Sequence, residues 1–184
     1  DKENSKPASQ VQSALGMLRS KDGAESWSTP DGTFFARGEA SGQLAMLFPG
    51  QGAQYTGMLR DLAIQFPEFL GVLQAADQAF IANTGGARGR LTELVYPRPV
   101  FDQDSRQENE ARLRATEVAQ PALGAVSLGA LDVLASFGVT AGAYAGHSYG
   151  ELTALCSGGY FDTNVLHALS RLRGELMAAG EGDR

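Results

Sequence analysis

Cysteine, histidine and long apolar runs are scarce in this chain. Its 184 residues include one cysteine, Cys156, and two histidines, His147 and His167. A single cysteine excludes an internal disulfide and a Cys-x-x-Cys metal site, and it fits a reducing compartment. The longest clear apolar run, Leu44–Phe48, is far shorter than the roughly 18 residues that a membrane-spanning helix needs. We therefore expect neither cysteine chemistry nor a transmembrane helix.

Basic residues are also in the minority. Lysine and arginine number 15 against 21 aspartate and glutamate, which gives a net charge of −6 and a pI near 4.9. No basic stripe with interleaved aromatic residues occurs, so nucleic acid is not an expected partner. The N-terminal 30 residues lack the apolar core of a secretory signal, and the cytoplasm is the expected location. No metal-ligand spacing and no dinucleotide-binding glycine pattern is present, so we expect no metal and no cofactor.

The chain changes character near residue 43. Residues 1–43 are polar and rich in glycine, serine and proline, and this composition predicts an interdomain linker. Within it, the spacing of Val11, Leu15 and Leu18 predicts a helix, and Thr33-Phe34-Phe35 predicts a short strand. From residue 44 onward the sequence is that of a globular domain.

Strand and helix signals alternate after residue 44 and predict an α/β fold. Leu44–Phe48 is a continuous apolar run typical of a buried strand, and Ala143–Ala145 is a second candidate strand. Apolar spacings of three and four predict helices. The predicted helices cover residues 66–80, 121–134, 152–156 and 165–176, and Asp162 caps the last of them. Residues 102–114 are rich in charge and are expected to form a solvated helix or a loop.

The second strand runs into Gly146-His147-Ser148-Tyr149-Gly150, a Gly-x-Ser-x-Gly motif. A serine at a sharp turn between a strand and a helix is exposed at the helix N-terminus, which suits nucleophilic acyl transfer. In a chain with 23 glycines the motif alone is weak, and an ordinary turn serine is the alternative. The serine needs a base, but His147 adjoins it at a turn where side chains diverge, and His167 lies on an apolar helix face.

Four motifs follow one another along the chain, and their combination in this order is specific to one family. They are Phe48-Pro49-Gly50-Gln51-Gly52-Ala53-Gln54, Gln120-Pro121-Ala122-Leu123, Gly146 to Glu151, and Arg173-Gly174. In these the chain resembles malonyl-CoA:acyl carrier protein transacylases, including the acyltransferase domains of type I fatty acid and polyketide synthases. The resemblance covers about residues 43–184. Phe35-x-Arg37-Gly38 and Tyr149 also resemble the iterative synthases that make enediynes or polyunsaturated fatty acids.

The resemblance implies a role for each motif. Ser148 is the nucleophile of a ping-pong reaction, and the backbone amides of Gln51 and Tyr149 form the oxyanion hole. Arg173, 25 positions after the serine, binds the free carboxylate of malonyl, while Gln120 and His147 lie near the substrate pocket. Without the resemblance, Arg171 and Arg173 would be interpreted as solvated residues of a surface helix.

The resemblance also implies a two-part domain. Residues 44–184 match the N-terminal part of an α/β-hydrolase-like large subdomain, residues 1–43 match the linker that follows a ketosynthase, and a ferredoxin-like small subdomain with the family's catalytic histidine is expected beyond Arg184. The expected partners are an acyl carrier protein domain, other synthase domains and the C-terminal part of the acyltransferase domain, including as a second chain. A serine hydrolase or thioesterase, and an inactive fragment without a base, remain alternatives.

Overall fold

The computed structural model describes residues 6–38 and 42–181. Sequence features on residues 1–5, 39–41 and 182–184, among them the C-terminal Gly182-Asp183-Arg184 and part of the predicted linker, lie outside the described residues. The chain divides into two units, Asp1–Gly42 and Gln43–Arg184.

The first unit contains a helix and a hairpin. Helix α1 (Lys6–Ser20) is followed by strands β1 (Ser26–Ser28) and β2 (Phe34–Ala36), which pair antiparallel with Trp27 opposite Phe35. The two rings stack with their centroids 5.3 Å apart. The helix and β2 confirm the sequence prediction. Strand β1 was missed, because its two serines and the following Thr29-Pro30 are typical of a loop.

The sheet of the second unit is parallel. Strands β3 (Ala45–Phe48) and β4 (Ala143–Gly146) pair with Ala45 opposite Ala143 and Phe48 opposite Gly146. Both strands were predicted, but the prediction that β3 is buried is wrong. Phe48 is buried, whereas Leu47 is 77% exposed. An apolar strand is buried on both faces only when layers cover both, and in this two-stranded sheet of the described residues the Leu47 side is open.

Helices make up most of the second unit. They are α2 (Arg60–Gln65), α3 (Pro67–Thr84), α4 (Leu91–Val95), α5 (Gln103–Arg114), α6 (Thr116–Ser136), α7 (Gly150–Ser157) and α8 (Thr163–Glu181). Segment 102–114 is a helix rather than a loop, because the Asp102 carboxylate accepts the Ser105 N–H at 2.7 Å and caps it. Helices α2 and α4 span six and five residues, too few for a periodic apolar pattern.

Helix α6 is the centre of the core. It begins at Thr116 rather than at Pro121, so the predicted start is wrong, since Pro121 lies inside the helix instead of in its first turn. Its buried side chains pack with those of α3, α4 and α5, including Phe69, Leu91 and Leu113. Among the described residues, α6 is the one helix that is long enough and apolar enough to cross a membrane. However, 67% of its most apolar segment is buried inside the protein, as in the core helix of a soluble protein.

Candidate active site

The Gly-x-Ser-x-Gly motif forms a strained turn between β4 and α7. Ser148 has φ +56°, in the left-handed region that residues with a side chain rarely adopt. A Cβ on Gly146 would overlap the backbone of Gly150, and a Cβ on Gly150 would overlap the carbonyl of Phe48. The two glycines therefore let strand and helix cross closely enough to hold the serine in this conformation.

The loop after β3 lies directly against this turn. A Cβ added to Gly50 would lie 2.6 Å from the His147 carbonyl oxygen and 3.1 Å from Ser148 Cβ. Gln51 follows Gly50. Within residues 6–38 and 42–181, neither the backbone N–H of Gln51 nor that of Tyr149 has a protein acceptor, so both remain free to donate.

Helix α8 brings Arg173 to the serine. The Arg173 Nη2 donates to Ser148 Oγ at 3.3 Å, and its Nη1 is buried without an acceptor in the described part of the chain. Arg171, two residues earlier, pairs instead with Glu175 at 2.7 Å on the surface. The solvated interpretation thus fits Arg171, whereas Arg173 carries an unpaired guanidinium edge beside a nucleophile.

Side chains from α6 hold the Gln51 loop. The Gln51 Nε2 donates to Thr116 Oγ1 at 3.0 Å, and the Gln120 Nε2 donates to Gln51 Oε1 at 3.2 Å. Gln120 is fully buried, and it also lies 3.3 Å from the sulfur of Met177. Thr116 and Met177 were missed by sequence reasoning, because neither residue stands in a motif and the contacts join segments far apart in the chain.

The side chain of Tyr149 points away from solvent into the core. Its hydroxyl lies 2.7 Å from Ser170 Oγ, and burial raises the pKa of Tyr149 to about 12. Sequence reasoning assigned a role to the Tyr149 amide and none to its ring or to Ser170. The available signal was the spacing of Ser170 and Arg173, which places both on one face of a helix.

The two histidines were the base candidates of the sequence. Neither is hydrogen bonded to Ser148 in the described part of the chain; the exposed His147 packs its ring against Gly50, with Nδ1 3.0 Å from where a Cβ would stand. His167 lines a cavity of about 200 Å³ with Phe80 and Arg171, and burial lowers its pKa. Within residues 6–38 and 42–181, no group of three His, Cys, Asp or Glu side chains could hold a metal ion.

These features define a class of protein. A strained serine between a parallel strand and a helix, beside free backbone amides, is the geometry of an α/β protein with a nucleophile elbow. Residues 45–183 match the family model described as acyl transferase domain, and the chain belongs to this family.

Three similar proteins illustrate the family. The chain is 35% identical over 83% of its length to one of the polyunsaturated fatty acid synthase polypeptides of Thraustochytrium sp.. It is similar to the acyltransferase domain of the second module of the salinomycin polyketide synthase, with 30% identity over 90% of the chain and a TM-score of 0.67. It is also similar to a malonyl-transacylase solved with its type II polyketide synthase acyl-carrier protein, with 36% identity over 74% of the chain and a TM-score of 0.58.

The comparisons confirm the resemblance to acyltransferase domains of type I polyketide synthases and to malonyl transacylases, and with it the α/β fold. The chain spans 6% of the fatty acid synthase polypeptide and 34% and 39% of the two solved chains. The enediyne-type resemblance and the ferredoxin-like subdomain stay predictions.

Proposed function

We propose that this domain transfers a malonyl group from malonyl-CoA to an acyl carrier protein through an ester on Ser148. Ser148 Oγ attacks the thioester carbonyl, its proton passes to a base, and the C–S bond breaks to release coenzyme A. The thiol of the carrier's phosphopantetheine then attacks the ester and frees Ser148. The observation that carries the proposal is the Arg173 guanidinium, 3.3 Å from Ser148 Oγ and with Nη1 buried and unpaired.

The free edge of Arg173 fits the carboxylate that distinguishes malonyl from a simple acyl group. A buried N–H without an acceptor is costly, and a carboxylate oxygen relieves that cost with a charge-assisted hydrogen bond. Because Nη2 already lies beside Ser148 Oγ, a carboxylate bound at Nη1 brings its own acyl group to the nucleophile. In the proposed pocket Gln120 and the exposed His147 lie near the bound acyl chain.

The tetrahedral intermediate needs donors for its negative oxygen. The amides of Gln51 and Tyr149 supply them in this proposal, since the loop lies so close that a Cβ on Gly50 would stand 3.1 Å from the Ser148 Cβ, and both N–H groups are free. Ser148 also precedes the first turn of α7, and the dipole of this helix favours negative charge at its N-terminus. The chemistry uses side chains and amides throughout, so we propose no resident metal or cofactor.

We extend the proposal to partners and location. The acyl carrier protein is the acceptor, as the solved complex of a similar malonyl-transacylase supports. The exposed Leu47 of β3 supports packing of the remaining acyltransferase domain, in the same or a second chain, against this sheet. That part would supply the base that takes the Ser148 proton. Other synthase domains and a cytoplasmic location complete the proposal.

Intact mass spectrometry under denaturing conditions tests the transfer. The intact protein is measured before and after brief incubation with malonyl-CoA, with Ser148→Ala as control. We expect a malonyl adduct that the variant lacks and that an acyl carrier protein removes. Release of malonate to water without transfer to the carrier would indicate a serine hydrolase or thioesterase, and the absence of any adduct would indicate an inactive fragment.

A further inference from the structure

The hydroxyl of Tyr149 occupies a notch in helix α6. Tyr149 is fully buried although it adjoins the nucleophile. A Cβ on Gly124 of α6 would overlap the Tyr149 hydroxyl oxygen and lie 3.3 Å from its Cζ. The hydroxyl therefore fits because residue 124 has no side chain.

The hydrogen bonds of this hydroxyl have a defined direction. The Ser170 Oγ donates its single proton to the Leu166 carbonyl at 2.7 Å. The Tyr149 hydroxyl, 2.7 Å from the same Oγ, must then be the donor in that pair. A buried phenol that stays protonated suits this role. The nucleophile elbow is thus hydrogen bonded to Ser170 of α8, in the rotamer in which Ser170 also donates to Leu166.

That attachment joins the two groups that the proposed reaction brings together. Tyr149 shares a peptide bond with Ser148, and Ser170 lies three positions before Arg173 on the same face of α8. Among the described residues, the 3.3 Å contact itself is the only other direct hydrogen bond between the elbow and α8. A shift of α8 relative to the elbow would change that distance directly.

We propose that Tyr149 is a positioning residue that acts through Ser170 to set the separation of Ser148 and Arg173, and thereby the preference for acyl donors with a free carboxylate. The proposal rests on the proposed function. A misplacement of about 1 Å between reacting groups reduces rates by roughly 100-fold, so a smaller shift is sufficient for a measurable effect.

The test compares two donors in the intact protein. Initial rates of Ser148 acylation are measured with malonyl-CoA and with acetyl-CoA, which lacks the carboxylate. Tyr149→Phe removes the hydroxyl alone, and we expect the malonyl-to-acetyl ratio of kcat/KM to fall by about 10-fold, a loss of the size that one hydrogen bond produces. Ser170→Ala should give the same fall, and the double variant no more than either one. Tyr160→Phe is the matched control at a tyrosine that is 80% exposed.

A purely structural role predicts a different result. If Tyr149 only stabilises the fold, its variant lowers the melting temperature and slows both donors together, and an unchanged ratio would overturn the proposal. Gly124→Ala should also lower the ratio, and Tyr149→Phe added to it should restore part of the melting temperature by removing the overlapping oxygen. Wild-type protein acylated by neither donor, or equally by both, would refute the proposed function, whereas a wild type that prefers malonyl-CoA and a Tyr149→Phe variant with the same ratio would refute the positioning role alone.

Discussion

Replacement of Arg173 is the most informative perturbation of the site. In the structure its Nη2 lies 3.3 Å from Ser148 Oγ, and its Nη1 is buried without an acceptor. Arg173→Ala removes both donors and leaves the proposed carboxylate of the acyl donor unpaired. Among the described residues, Arg173 forms no ion pair with a carboxylate, in contrast to Arg171. The substitution therefore breaks no ion pair of the fold.

The expected loss follows from these contacts. A hydrogen bond to a charged group contributes about 1.5–3 kcal/mol, and truncating one partner of a desolvated charge pair costs about 2–5 kcal/mol. Arg173 is half-buried, so we take the lower part of that range, about 2–4 kcal/mol. At about 1.4 kcal/mol per factor of ten, kcat/KM for malonyl-CoA should fall by about 30- to 1,000-fold. Arg173→Lys should lie between, since lysine keeps the charge without the planar pair of donors.

The assay is the initial rate of Ser148 acylation, followed by intact mass with malonyl-CoA and with acetyl-CoA. The acetyl rate should change less than about threefold, since acetyl offers no carboxylate to Arg173. Arg171→Ala is the matched control, because this arginine forms a surface pair with Glu175 and surface pairs contribute little. Equal losses with both donors, or no loss with malonyl-CoA, would refute the assignment of Arg173 to the carboxylate.

Three further changes test other parts of the structure. Gly50→Ala places a Cβ 2.6 Å from a backbone oxygen and 3.1 Å from Ser148 Cβ, so acylation should slow by roughly 100-fold in the mass assay. Burial lowers the pKa of His167, so the unfolded chain binds this proton at higher pH than the folded chain does. The free energy of unfolding should therefore decrease as the pH falls below about 6.5, the ordinary histidine pKa. His167→Gln should reduce that decrease, measured by urea unfolding between about pH 7.5 and 5. Asp162→Ala removes the carboxylate that accepts the Val165 N–H at 3.0 Å, and should lower the free energy of unfolding by about 1 kcal/mol.

Each of these changes has a neighbouring control. Gly52→Ala meets no atom within 4 Å but has φ +107°, so it should cost stability and leave acylation closer to wild type than Gly50→Ala does. His147→Gln, at an exposed histidine, should keep the pH dependence of unfolding, and an identical profile for both histidine variants would contradict the role of burial. Asn164→Ala should be near neutral; a loss equal to that of Asp162→Ala would argue against the cap.

The sequence predicted those parts of the structure that depend on residues close together in the chain. The elbow at Ser148 was predicted because its glycines flank a short apolar strand and a helix, and a strand–turn–helix of this length is set by residues close in the chain. Helix α3 was likewise predicted, from the apolar spacing over 66–80; in the structure Pro67 lies in its first turn and Gly85, with φ +59°, ends it. Such signals depend on backbone preferences that each residue carries with it.

Contacts between distant segments could not be predicted in this way. The bond between Gln51 and Thr116 joins residues 65 positions apart, and that between Tyr149 and Ser170 spans 21. Both depend on where α6 and α8 pack, which periodicity does not specify. The exposure of Leu47 was missed for a related reason. A continuous apolar run predicts a strand that is buried on both faces of a larger sheet, whereas the described residues form a sheet of only two strands here.

If Arg173 binds the carboxylate of the donor as proposed, its position should restrict the length of the acyl group as well as its charge. In malonyl one methylene separates the carboxylate from the thioester carbonyl, so a carboxylate at Nη1 leaves the carbonyl carbon next to the atom that Nη2 contacts, Ser148 Oγ. Attack requires that carbon within about 3–3.5 Å of Oγ. A donor with a longer spacer, held at the same guanidinium, would carry its carbonyl past the serine or leave its carboxylate unpaired. In the proposed positioning role, the Tyr149–Ser170 bond holds α8 against the elbow and should keep this spacing from adapting to the longer donor.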